Sequence, residues 1–184
     1  CLKTARDICD DRGALFILDE VQTGFGRTGR WFAKEHSGVV PDVICLAKAI
    51  AGGLPMGAML ARAGAAEAFR KGDHGSTFAG GPLICAAALA TIDVIREEKL
   101  VERSEELGRY LKSEKKKNNH KKDRGVELMG GLDLNCDCKS LVEKALQKGV
   151  LINNTGEHTL RLIPPLVVTK EEIDRVVEVI GELL

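Results

Sequence analysis

The chain has 184 residues, and its 27 basic and 27 acidic side chains leave a formal net charge of zero. That balance offers no electrostatic footprint for wrapping nucleic acid or docking on an anionic membrane, so neither is expected as a partner. Apolar residues at 44% and charged ones at 29% are ordinary globular composition, which excludes a disordered chain or a fibre and suits one domain or two small ones.

Leu2, Ala5, Ile8 and Cys9 recur at helical spacing with no capping residue before them, so the chain is expected to start inside a helix and to be a piece of something longer. Ala14 to Leu18 is a continuous apolar run ending in Asp19-Glu20, the pattern of a parallel strand covered on both faces. A glycine-rich stretch (Gly24, Gly26, Gly29) and a short amphipathic piece from Trp31 to His36 follow. Pro41 introduces a second strand, Val43 to Ala47, which runs into Lys48. A turn at Gly52, Gly53 and Pro55 leads to a third strand between Met56 and Ala61. This rhythm argues α/β architecture. Gly72 to Gly81 is a polar loop, Pro82 suits the first position of a helix, and Leu83 to about Lys112 reads as one long helix.

The charged run Glu114 to Lys122 reads as a solvated helix end and loop, and it is the expected boundary between domains 1–113 and 114–184. Beyond it, Gly125 to Leu134 suggests a strand pair or bent strand, and Lys139 to Lys148 a helix ended by Gly149. Val150 to Ile152 and Thr159 to Ile163 read as two short strands around a turn. Thr169-Lys170-Glu171-Glu172 is a capping box that launches a closing helix on Ile173, Val176, Val177 and Ile180. No run approaches the roughly 18–20 apolar residues of a membrane span, and no basic-then-apolar signal peptide opens the chain. The cysteines (Cys1, Cys9, Cys45, Cys85, Cys136, Cys138) form no C-x-x-C pair, and are read as reduced thiols of a cytosolic protein. His36, His120 and His158 show no metal spacing, and no metal is expected.

The stretch from Ala14 to Trp31 supports three readings. Gly24 to Gly29 spells G-x-G-x-x-G, the dinucleotide fingerprint, yet Asp19 to Thr23 separate it from the strand and the helix after it is short. Gly24 and Gly29 also stand at P-loop separation, but Arg30 and Trp31 occupy the places where Lys and Ser or Thr must bind phosphate and metal. The third reading uses residues the others leave idle. Asp19 sits at the carboxyl end of a buried strand, where α/β proteins bind ligands, and Lys48 closes a second apolar strand ahead of a glycine turn. A lysine with a buried stem has a lowered pKa and attacks carbonyl carbon as a free amine. A carboxylate on a pyridine nitrogen plus such a lysine is what pyridoxal phosphate chemistry demands.

The segments LFILDEVQTGFGRTGRWFAKEHSGVVPDVICLAKAIAGGLPMGAML, HGSTFAGGPLICAAAL and LRLIPPLVVTKEEID closely resemble class III aminotransferases over almost the whole chain. The resemblance implies a fold type I pyridoxal-phosphate-dependent transferase. Residues 1–113 would be the carboxyl-terminal part of the large cofactor-binding domain with a connecting helix, and 114–184 the small α+β domain. It implies that Asp19 bonds the pyridinium nitrogen, Val21 packs on the ring, Gln22 bonds the phenolic oxygen and Lys48 links covalently to the cofactor. Thr77 would bind cofactor phosphate of a neighbouring subunit in a homodimer, with Ser76 bordering the substrate. Arg161 would clamp the substrate carboxylate with a planar fork.

The reaction implied is transfer of a side-chain amino group to 2-oxoglutarate, with N-acetylornithine as donor ahead of ornithine, succinylornithine and 4-aminobutyrate. Ala51-Gly52-Gly53 in place of three glycines, Gly81 in place of asparagine and the basic run at 115–122 depart from the family pattern. The family's glycine-rich phosphate turn, stacking aromatic and switching glutamate have no counterpart here, so the isolated chain is expected to show little or no activity. A nucleotide-binding module on the Gly24–Gly29 loop and a non-catalytic remnant that needs a partner chain remain as alternatives.

Overall fold

A computed structural model describes residues 1–116, 118 and 120–184 of the chain. Lys117 and Asn119, in the predicted charged run, lie outside the described residues. The chain forms two compact units, one of Cys1–Gly26 with Arg30–Lys99, the other of Arg27–Gly29 with Leu100–Leu184.

The first unit opens with α1 (Leu2–Arg12), which ends at Gly13 in a left-handed cap with φ 61°. Arg6 of α1 donates to Asp42 Oδ2 at 2.6 Å, lies 5.3 Å from the centre of the Phe16 ring, and shares that carboxylate with the Phe16 N–H at 2.8 Å. The Arg6 hydrogen bond first, and then that N–H, hold the Asp42 carboxyl below the usual range. The sheet has three strands in sequence order: β1 (Ile17–Asp19), β2 (Val43–Leu46) and β3 (Ala58–Ala61). β1 pairs parallel with β2, Ile17 against Val43 and Asp19 against Cys45, while β3 runs antiparallel to β2. Two helices complete this unit, the short α2 (Ala63–Ala66) and α3 (Pro82–Glu97), the latter starting on Pro82 as expected.

Two expectations fail here. The first strand is shorter than Ala14–Leu18 and is not covered on both faces, with Leu15 59% and Ile17 55% exposed. β1 forms the sheet edge among the described residues, whereas β2, paired on both sides, buries Val43, Ile44 and Leu46. The single long helix is two, α3 and α4 (Leu100–Lys115), broken where Lys99 turns left-handed at φ 52°. Leu107 and Leu111 of α4 belong to the core of the second unit, whereas Ile95 of α3 is buried outside that cluster. The division between units therefore precedes α4.

The second unit continues with β4 (Lys122–Val126), β5 (Met129–Asp133), α5 (Cys138–Gln147), β6 (Asn153–Asn154), β7 (Thr159–Leu162) and α6 (Lys170–Leu183). Its sheet has the order β4-β5-β7-β6 and is antiparallel throughout. Leu132, Leu160 and Leu162 meet Leu107, Leu141, Ile173, Val177 and Ile180 from the helices, and α6 packs on both α4 and α5. The capping box forms as predicted, with the Glu172 N–H donating to Thr169 Oγ1 at 3.2 Å and the Thr169 N–H to Glu172 Oε2 at 2.8 Å. Val150 and Ile152 fill the core instead of forming a strand, and pairing begins at Asn153. Lys115, expected to be solvated, is 4% exposed and ion-paired to Asp123 at 2.5 Å. All six cysteines are free, and no helix among the described residues is long and apolar enough to cross a membrane.

Tyr110, the sole tyrosine, donates to Asp174 Oδ1 at 2.6 Å, and this bond first, then desolvation, pushes its pKa up to about 12. A folded-state pKa above the unfolded value of about 10 gives stability that is present below pH ~10 and lost as pH rises through ~12. Ultraviolet titration of tyrosinate is expected to show its midpoint near pH 12. Asp174→Asn is expected to return that midpoint toward the ordinary ~10.

Candidate active site

Parallel pairing of β1 and β2 puts their carboxyl ends at one edge of the sheet, the edge where α/β proteins bind ligands. Asp19 is the last residue of β1, and Lys48 follows β2 after one intervening residue. The structure thus brings the two predicted residues to the same sheet edge. Asp19 is exposed, and its Oδ1 accepts from the Val21 N–H at 2.9 Å, which sets the first turn of the following loop. Val21 and Gln22 are partly buried in that loop.

Lys48 departs from expectation in one respect: its side chain is exposed, so the buried stem inferred from the sequence is not there. The strand has ended, and Lys48 opens a 3-10 turn (Lys48–Ala51) with its own backbone left-handed at φ 51°. A non-glycine residue held in this region costs about 1–3 kcal/mol and persists only where its surroundings dictate it. Here the turn is anchored by Ile50 and Ala51, both buried, and packs against α3. Gly52 follows at φ 59°, and a Cβ there would lie 2.8 Å from Thr91 Oγ1 of α3. Conformation and space both require glycine after this lysine, and Ala51 in the family's three-glycine stretch is a core methyl.

Glu20, which the sequence reading passed over, organises the loop. Only 3% exposed, its carboxylate accepts from Thr23 Oγ1 at 2.5 Å, the Ala33 N–H at 2.9 Å and the Lys34 N–H at 2.7 Å. Its backbone N–H donates to Cys45 O of β2 at 2.9 Å, and its carbonyl accepts from the Gly24 N–H at 3.0 Å. Both ends of the 21–34 segment are therefore tied to one residue beside Asp19. Acids are almost never this buried unless satisfied, and nothing in the local sequence marks Glu20 as the exception. After Gly29 the next helical piece is only the 3-10 turn Ala33–His36. The glycine loop therefore launches no helix that would receive a pyrophosphate, and the dinucleotide reading loses its structural context.

Ser76 and Thr77 are exposed in the 72–81 loop of the first unit, and no hydrogen bond joins either to Asp19 or Lys48 among the described residues. His74 is exposed in the same loop. No cluster of potential metal ligands occurs among the described residues.

Arg161 lies in the second unit, on β7. Leu160 and Leu162 point into the core, so Arg161 and Thr159 share the opposite, polar face of the sheet. There the Asp133 carboxylate accepts from Thr159 Oγ1 at 2.7 Å and is ion-paired to Arg124, which together hold its pKa below the usual range, Arg124 contributing most. Arg161 is half-buried and has no carboxylate partner among the described residues, the condition of a guanidinium available to an anion. Within the same unit Arg27 donates to Leu128 O at 3.3 Å and to Pro164 O, next to the Arg161 strand, and burial lowers its pKa.

This arrangement, in the part of the architecture the chain covers, is that of a fold type I pyridoxal-phosphate-dependent transferase. The description of aminotransferase class III matches residues 1–184, and the chain belongs to the class III aminotransferase family. It is 54% identical to the acetylornithine aminotransferase of Methanosarcina mazei, over 98% of this chain and 46% of that protein. It is 49% identical to the acetylornithine aminotransferase of Archaeoglobus fulgidus, over 97% of this chain and 47% of that one. Among solved structures, the ornithine aminotransferase of Toxoplasma gondii superposes with a TM-score of 0.92 at 35% identity, over 99% of this chain and 46% of that one. The acetylornithine aminotransferase of Elizabethkingia anophelis gives 0.90 at 38% identity, over 99% and 48%. The chain spans about half the length of the relatives it matches.

Glu20→Ala removes the acceptor of three donors at once. It is expected to speed hydrogen exchange at the Ala33 and Lys34 amides and to lower stability of the first unit by roughly 1–3 kcal/mol in urea unfolding.

Proposed function

We propose that the chain contributes to a pyridoxal-phosphate-dependent aminotransferase that moves the side-chain amino group of N2-acetyl-L-ornithine to 2-oxoglutarate, a step of arginine biosynthesis in the cytoplasm. The observation that carries the reading is the parallel register that puts Asp19 at the carboxyl end of β1 and Lys48 just beyond that of β2. The donor set fits the cofactor: an exposed acid to hold a protonated ring nitrogen, and an exposed primary amine on a rigid turn to bond an aldehyde carbon. When bound, pyridoxal phosphate supplies a ring that takes up the electron pair released at the substrate carbon.

The remaining work belongs to side chains of this chain. Asp19 would keep the ring nitrogen protonated, because a carboxylate in contact favours the charged form of its partner. Val21 would pack on the ring and Gln22 would donate to its phenolic oxygen. The Lys48 amine would hold the cofactor's aldehyde carbon and, as a free amine, would take and return the proton at the reacting carbon. Arg161 fixes the substrate carboxylate by two parallel hydrogen bonds. Thr77 binds phosphate across a homodimer interface, and Ser76 lines the substrate side. N-acetylornithine stands first as donor because the relatives named above carry that activity in their names. Ornithine is the second reading, favoured by the likeness to the Toxoplasma gondii enzyme.

Incubation with pyridoxal phosphate is expected to colour the chain, and borohydride reduction followed by peptide mass spectrometry is expected to place the adduct on Lys48. Lys48→Ala is expected to abolish the adduct, and Asp19→Ala to weaken cofactor retention at least tenfold, the size of a lost charge-assisted contact. A colourless chain that binds a nucleotide instead would overturn the reading.

A further inference from the structure

Glycines within the second sheet have different reasons for being there. Gly125 adopts φ +128°, and a Cβ on it would lie 2.1 Å from Met129 O. At Gly130, on the helix-covered face, a Cβ would meet Lys115 Nζ at 3.1 Å. Gly131 has neither excuse. Its φ lies outside the positive region, and a Cβ would find only Thr159 Cγ2 at 3.4 Å and Leu160 O at 3.9 Å. Glycine inside a strand weakens it and, away from a bulge or bend, marks a place where a ligand or another backbone comes close.

Register supplies the location. Arg124 of β4, Gly131 of β5, Arg161 of β7 and Asn153 of β6 form one row across the sheet. Directly opposed residues have Cβ atoms about 4.5–5.5 Å apart, so the bare position lies at the flank of both arginines. Arg124 is committed to Asp133, whereas Arg161 faces no carboxylate among the described residues. Arg124 also reaches Thr159 Oγ1 at 3.4 Å, so among the described residues the row offers one guanidinium without a carboxylate partner beside a position that carries no side chain.

We propose that position 131 determines specificity at the carboxylate site: its missing side chain admits the carboxylate end of an amino or oxo acid to the flank of Arg161. The inference rests on reading Arg161 as the clamp. A methyl at 131 fits at ordinary contact distance, while a branched side chain fills the gap.

Calorimetric titration of the 184-residue chain with 2-oxoglutarate tests this in the wild type, Gly131→Ala, Gly131→Ser, Gly131→Val and Arg161→Gln, with melting temperature recorded for each. The expected result is graded weakening from Ala through Ser to Val, reaching tenfold or more at Val as for other steric exclusions, with melting temperatures held or raised. A flat series across position 131, with binding lost only in Arg161→Gln, overturns the inference and leaves the clamp standing. Unchanged binding in Arg161→Gln, or no binding by the wild type, overturns the clamp reading and this inference together.

Discussion

The parallel hydrogen bonding of β1 to β2 is the constraint on which the candidate site rests. Each strand contributes little by itself, three residues in one and four in the other. Because they run the same way, their ends coincide, and residues far apart in the chain reach the same edge. The register of Asp19 against Cys45 then fixes how far beyond the strand Lys48 stands. An antiparallel pairing of the same segments would have sent the acid and the amine to opposite edges.

Around that pairing the chain uses two kinds of fixing. The lysine turn is held by apolar burial, Ile50 and Ala51 against α3, and so tolerates a left-handed backbone at Lys48. The loop after Asp19 is held by polar satisfaction, with one buried carboxylate taking backbone donors from the far side of the segment. Such a buried acid is costly unless every oxygen is served, and the service it receives makes the loop specific in shape. The second unit separates the same roles by face: the apolar side of its sheet meets three helices, and the polar side carries the Arg124–Asp133–Thr159 network and Arg161.

Much of this was legible in the sequence. The strand before Lys48, Pro82 at a helix start and the Thr169 capping box each depend on local spacing and appear where that spacing puts them, whereas the run before Asp19 gave the strand but not its bounds or burial. What escaped depends on partners remote in sequence. Glu97-Glu98-Lys99 has composition as helical as its surroundings, and the break is set by the assignment of α3 and α4 to different compact units. Lys115 looks like one more surface lysine until Asp123 folds back to meet it. Glu20 and Gly131 are likewise silent, since a buried acceptor and an unfilled position are defined by neighbours that the primary order does not place beside them.

The opening helix carries a different lesson. None of its residues is buried, and it is fastened to the sheet through Arg6, which grips Asp42 and covers the Phe16 ring. Such a pair responds to acid, because protonating Asp42 removes one of its two charges, while its partial burial limits screening by added electrolyte. Docking of this helix is therefore sensitive to acid in a way that the leucine-rich interior of the second unit is not.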